Sequence, residues 1–404
     1  MRWRWTPRAR SGSDAPVYPL KSAIKDYAWG SRTAIAELTG RPAPSPGPEA
    51  ELWMGAHPSA PSSALLPTGP EPLDQLIQRD PVKALGDRVQ GRFGTRLPFL
   101  LKVLAAARPL SLQAHPSAAQ AAAGYARENA QGVPLDAPHR SYRDASHKPE
   151  LLAALGRFRA LCGFRRRDET ASLLRELDVP ELGAVQRHLE AGPEPEGLRA
   201  AFEALLALDA AGRAATVAAT TIACARLAGR GGRFGAECAM ALALASEYPG
   251  DVGVVCALLL NLVTLQAGEA VYLPAGNLHA YLDGVGVEIM ASSDNVLRGG
   301  LTTKHVDRPE LLRVLDCSPI DAAPLLPARS GPESVYATPA AEFRLSRLDL
   351  TGGPCSLRAT GPEILLVTAG AAVAQSPLGR HSLRHGEAAF VPAASGRYSL
   401  EGRA

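Results

Sequence analysis

Short apolar runs such as LPFLLKVL and LSLQAH, separated by Pro, Gly and Ser clusters, fill the chain from about residue 15 to about residue 155. This pattern predicts strands and turns with a few short helices. From about 167 to 249 the period changes. The stretch PEGLRAAFEALLALDAAGRAATVAATTIACARLAG, residues 195–229, is rich in Ala and Leu with apolar residues recurring every three or four positions. It reads as helix, and the glycines between 229 and 232 offer a stop. Beyond about 252 strand-like runs return in VVCALLLNLVTL, EAVYLPAG and GVEIMAS. The order β, α, β predicts a mainly β protein with helices inserted into or beside it.

A ten-residue repeat sharpens this. AGEAVYLPAG at 267–276 and HGEAAFVPAA at 385–394 share a Gly-Glu-Ala start, two variable residues, an aliphatic residue and Pro-Ala. A Gly-Glu turn, a short strand and a Pro-containing turn make one structural unit used twice. His279 follows the first copy, and the same offset in the second falls on Arg397. If the first copy binds a metal, the second has lost it.

Composition then narrows the class. At 404 residues the chain is long for a single core, and about 150 residues per domain predicts two or three. Hydrophobic residues at 46% and charged residues at 21% are ordinary for a soluble globular protein. A net charge of +3, dispersed along the chain, marks neither a nucleic-acid binder nor a membrane-surface protein. The basic start MRWRWTPRARSGS lacks an apolar core, so it reads as a disordered leader over residues 1–15 rather than a secretory signal. The longest apolar run ends at Gln266 and Gly268, short of the ~20 residues that span a bilayer. Six scattered cysteines without a C-x-x-C pair read as buried reduced thiols. A cytoplasmic monomer is expected.

Candidate chemistry begins with SLQAHPS, residues 111–117. Residues two apart on a strand project from one face, so Gln113 and His115 reach one point, and an amide oxygen beside an imidazole could serve a metal ion. Taken alone, a strand glutamine more often satisfies a backbone group. A longer series of segments decides more: KDYAWGS (25–31), ELWMGAHPS (51–59), LPFLLKVLAAARPLSLQAHPS (97–117), YRDASHKPELLAAL (142–155), LPAGNLHAYL (273–282) and EIMASSDNVLRGGLTTKHVD (288–307). In this order they resemble the signature blocks of the type I mannose-6-phosphate isomerases, over roughly three quarters of the chain.

The resemblance implies a cupin, or jelly-roll, catalytic domain from 16–160 and 252–320. It implies a helical insertion at 161–251 and a second cupin-like domain at 321–404. It implies zinc, or another divalent ion, held by Gln113, His115, Glu150 and His279, a donor set acceptable to a borderline cation. It implies the interconversion of mannose 6-phosphate and fructose 6-phosphate. That chemistry moves a proton between C1 and C2 through an enediol and needs a base on one face of the sugar with positive charge near its oxygens.

Glu288 is similar to a family carboxylate near the substrate, with Lys148 as a rival base. Arg298 is implied to be catalytic, and Lys304, Ser111 and Lys102 to lie around the phosphate. Trp29, Glu51 and Trp53 resemble a pocket wall, while aromatic core packing is an equal reading for both tryptophans. His57 reads as structural. Three positions depart from the family pattern: Ser117-Ala118 after the first His-Pro, Thr303 before Lys304, and Ser141. Two other classes stay open on the residues, an iron-dependent cupin oxygenase and a non-catalytic sugar-phosphate sensor.

Overall fold

The computed structural model describes residues 16–229 and 232–404. The leader expected at 1–15 lies outside the described residues. The fold is mainly β with a helical block, as the pattern of apolar runs predicts.

The largest sheet has ten strands, and its central member is the long strand His279–Ala291. Its first half pairs with Phe158–Phe164 and touches Leu112–Ala114. Its second half pairs with Phe99–Ala106 and Glu150–Ala154. The strand changes partners at Gly284, whose φ is +126° and where an added Cβ would lie 2.7 Å from the ring of Phe158. Only glycine turns that corner without displacing the neighbouring strand. Bent in this way, the sheet closes around an interior filled by Leu104, Leu152, Phe158 and Val271.

Alternation along the strands separates that interior from the outer face. Glu51, Trp53, Lys102, Glu150 and Glu288 point inward, while Leu52, Leu101, Leu151, Val287 and Ile289 pack outward into a second core.

Helices run from Arg167 to Cys256 and share one core with the sheet. Leu112, Ala114, Leu278, Ala280 and Leu297 all belong to it. These five flank Gln113, His279 and Arg298 in sequence, so the helices hold the backs of the strands that carry those residues. The Phe158–Phe164 strand runs past residue 160, so the helices begin later than that boundary. No single helix among the described residues is long and apolar enough to cross a membrane.

The C-terminal strands do not form a closed unit by themselves. Ala388–Val391 pairs with Tyr18–Lys21 from the start of the described chain, which in turn pairs with Ser63–Leu66. An otherwise open strand edge is thereby covered. The ten-residue repeat is the same turn built twice. Gly268 and Gly386 both have positive φ, and the carboxylates of Glu269 and Glu387 each accept from the backbone N–H three residues back, at 2.7 and 2.8 Å. Arg397 opens its strand as His279 opens the corresponding one.

Two segments differ from the pattern reading. Ala118–Ala130 is a 13-residue helix in a region expected to hold only short ones, nucleated by a capping box between Ser117 and Gln120. VVCALLLNLVTL is strand only from Leu260; its first half is a helical turn followed by a 3-10 turn, because a short apolar run carries no period that separates helix from strand. All six cysteines are buried free thiols.

Candidate metal centre and active site

Three buried side chains from distant parts of the chain converge inside the sheet. His115 follows the Leu112–Ala114 strand, Glu150 opens Glu150–Ala154, and His279 opens the central strand. One ligand atom from each lies within 4.8 Å of the others. His115 Nε2 stands 3.3 Å from Glu150 Oε1, and His279 Nε2 stands 3.5 Å from Oε2.

The tautomers follow from the opposite ring edges. His115 Nδ1 lies 2.7 Å from the backbone carbonyl of Asn295, and His279 Nδ1 lies 3.0 Å from that of Asn277. A carbonyl only accepts, so each Nδ1 carries the proton and each Nε2 of the neutral ring presents a lone pair. Those lone pairs face carboxylate oxygens, an arrangement that repels itself unless a cation lies between them. His115 Nε2 is accordingly a buried nitrogen with no hydrogen-bond partner. Two imidazole nitrogens and one carboxylate oxygen fit a zinc-like divalent ion.

Burial keeps His115 neutral, holding its pKa down to about 4. Burial alone would raise Glu150, but Lys148, with Nζ 2.9 Å from Oε1, and the two imidazoles outweigh it and hold the carboxyl well below its usual range. Unfolded histidine takes up a proton near pH 6.5 whereas folded His115 does not until about pH 4, so the unfolded state binds more protons between these values. Chelated protein is expected to lose thermal stability as pH falls from about 6.5 towards 4, with Glu150 adding to the loss at the acid end. Melting temperatures of the chelated protein at pH 7 and pH 5 test this; equal values would argue against a neutral buried His115.

The other expected residues separate into two groups. Gln113 sits in register between His279 on one side and Arg298 on the other. Its Nε2 donates to Ser111 Oγ at 3.3 Å, which leaves Oε1 on the opposite edge of the amide. Arg298 is half-buried, and its pKa is lowered by burial and by the neighbouring Arg143. Lys304, exposed on the following loop, is lowered by burial, Arg298 and Arg143. Arg143, Arg298 and Lys304 therefore lie near enough to influence one another's charge.

The second group is a buried charge cluster. Glu288 accepts from the Tyr281 hydroxyl at 2.8 Å and from Lys102 Nζ at 3.1 Å. Lys102, expected beside the phosphate, is instead held between Glu288 and Glu51, the latter at 3.4 Å. Burial opposes its charge, but the two carboxylates prevail and raise its pKa. Glu288 is itself raised by burial, with the Lys102 charge opposing. Trp53 donates its indole N–H to Glu51 at 2.8 Å. Trp29 stacks on Tyr27 with ring centroids 5.7 Å apart and packs on the interior core.

Sequence reasoning did not single out Asn277, Asn295, Arg143 or Tyr281. Tyr281 lies two residues from His279 on one strand face, a spacing that could have revealed it. Asn295 could not be found that way, because its buried amide ties the 143–146 loop to the metal centre through hydrogen bonds that only the fold creates.

Residues 17–167 match the family described as phosphomannose isomerase type I, catalytic domain. The mannose-6-phosphate isomerase of Salmonella typhimurium is 40% identical over 380 residues, covering 93% of this chain and 94% of that protein.

The chain belongs to the type I phosphomannose isomerase family.

The human mannose-6-phosphate isomerase is 33% identical over 396 residues, covering 89% of each chain. A crystal structure of a phosphomannose isomerase point mutant from Salmonella typhimurium superposes with a TM-score of 0.90 at 38% identity, covering 96% of this chain and 97% of that one. A zinc-bound mannose 6-phosphate isomerase superposes at 0.88 with 37% identity and the same coverage. The jelly-roll reading of the bent sheet accords with these type I phosphomannose isomerase structures.

Proposed function

We infer that this chain is a zinc-dependent isomerase interconverting D-mannose 6-phosphate and D-fructose 6-phosphate. The observation that carries the reading is the His115, Glu150 and His279 cluster, three lone-pair donors buried face to face beside a protonatable carboxylate, in a chain of this family. Zinc held by these three and by Gln113 Oε1 would supply the positive charge that polarises the sugar's oxygens.

The chain's own residues divide the remaining work. Glu288 moves the proton between C1 and C2, its raised pKa bringing it closer to that of an effective base at neutral pH. Lys102 and Tyr281 hold that carboxylate in place. In this reading Lys102 serves the base rather than the phosphate. Arg298 and Lys304 receive the phosphate, with Ser111 alongside, and the mutual repulsion of Arg298, Lys304 and Arg143 is relieved by a dianion. Arg298, the cross-strand partner of Gln113, also stabilises charge on the enediol. Lys148 keeps Glu150 ionised. The Tyr27 and Trp29 stack walls the sugar.

The division into a catalytic sheet from 16–166 and 257–320, a helical buttress from Arg167 to Cys256 and a backing unit at 321–404 belongs to this proposal. So does a cytoplasmic monomer acting on a small sugar phosphate without nucleic acid or membrane, a placement that the six free thiols support.

The test is fructose 6-phosphate formation from mannose 6-phosphate before chelation, after it, and after zinc is restored. Activity that disappears and returns is the expected result. No turnover by the zinc-loaded protein would overturn the reading.

A further inference from the structure

Behind the catalytic sheet, between its outer face and the C-terminal strands, lies a cavity of about 860 Å³. Sites that enclose small organic molecules commonly measure about 300 to 1,000 Å³. One wall is the back of the sheet, formed by Leu101, Val287 and Ile289. The facing wall carries Leu345, Ile364 and Leu366, aliphatic side chains left only half-buried. The cavity is separate from the metal centre, since Lys102 and Glu288 point to the other face of the same strands.

The charges around the cavity are unequal. Its three side-chain carboxylates are already engaged: Glu333 with Arg344, Glu342 with His147 Nε2 at 2.6 Å, and Glu363 with the Tyr398 hydroxyl at 2.5 Å. Arg88, Arg92 and Arg347 line the same space, and among the described residues none of them forms a salt bridge. Two facing aliphatic walls, with Arg88, Arg92 and Arg347 elsewhere on the lining and outside any salt bridge among the described residues, are complementary to an amphipathic anion: an apolar tail between the walls and a negative head on an arginine.

We propose that this cavity is an effector site for an acyl-chain anion, read out by the catalytic sheet. Two connections lead from it to the chemistry. Val287 and Ile289 flank Glu288, and Leu101 precedes Lys102, so a chain packed on the outer face bears on the strands that hold the buried ion pair. Glu342 borders the cavity and grips His147, which adjoins the lysine bonded to Glu150. The coupling rests on the isomerase reading. The binding does not.

Calorimetry of the zinc-loaded protein with octanoate, decanoate and dodecanoate, each below its micelle concentration, tests the site. One molecule per chain is expected, tightening roughly two- to fourfold for each added methylene. Dodecanol should bind more weakly than dodecanoate, and the Arg88→Ala, Arg92→Ala, Arg347→Ala triple variant should remove that preference. Leu366→Trp, or Ala340→Trp should the first fail to fold, should abolish binding by filling the space. Saturating dodecanoate should change kcat for mannose 6-phosphate in the parent protein and not in the filled variant. Absence of binding, equal binding by the filled variants, or no preference for the acid over the alcohol would each overturn the site. Binding that leaves kcat unchanged would overturn its effector role, and because calorimetry needs no turnover, that failure is distinct from failure of the isomerase reading.

Discussion

Glu150→Ala is expected to release zinc and to lower turnover of mannose 6-phosphate by at least ~10³-fold, the equivalent of several kcal/mol of transition-state charge stabilisation. Among the described residues the carboxylate is the anion that groups with the two imidazole lone pairs, and it also pairs with Lys148. Without it, a buried ammonium stands beside two neutral donors, and a divalent cation entering the site meets repulsion. Elemental analysis of the purified variant, read beside its turnover, checks both halves. Stoichiometric zinc in Glu150→Ala would remove the cluster from the mechanism, whereas loss of zinc together with activity would tie the two to one site.

Glu288→Gln isolates the proton transfer. The amide has the same shape and can still accept from Tyr281, but it cannot carry the proton. We expect kcat to fall by ~10² to 10⁴-fold with zinc content and KM little changed. In the parent protein the acid limb of kcat/KM should lie above the ordinary glutamate value of about 4.3, because burial raises Glu288 and the base must be ionised to act. Lys148→Ala supplies the contrast. Its loss should appear largely as weakened zinc, since Lys148 is bonded to a ligand. Full kcat in Glu288→Gln, with exchange of the substrate's C2 proton lost in Lys148→Ala, would transfer the base role to the lysine.

The candidate site was legible where chemistry is local. Gln113 and His115 occur together in SLQAHPS, and the alternation of a strand is enough to turn them to one side. The repeated Gly-Glu-Ala frame proved to be one turn used twice because its glycine φ and its carboxylate-to-backbone bond are set within a few residues. Legibility failed where partners are remote. Lys102 and Glu288 are 186 residues apart, and a lysine on an apolar strand gives no sign of whether it will meet a phosphate or a carboxylate. The helix at Ala118–Ala130 differs for a smaller reason, since its start is set by the Ser117 and Gln120 capping box, a local signal that the strand-and-turn texture of the region hides.

The amino-acid sequence by itself determined the alternation of strand and helix texture, the resemblance that names the family, and the candidate metal donors that the resemblance implies, all of which depend on neighbouring residues and their order. Only the tertiary structure decided which nitrogen of each histidine is free, that Lys102 meets Glu288 and Glu51, that Arg143 lies near Arg298, and that the first strands complete the C-terminal sheet. Those outcomes depend on burial and on contacts between remote segments, where a buried charge must find its counter-charge and a ring proton its carbonyl, and such pairings exist only once the chain has closed on itself.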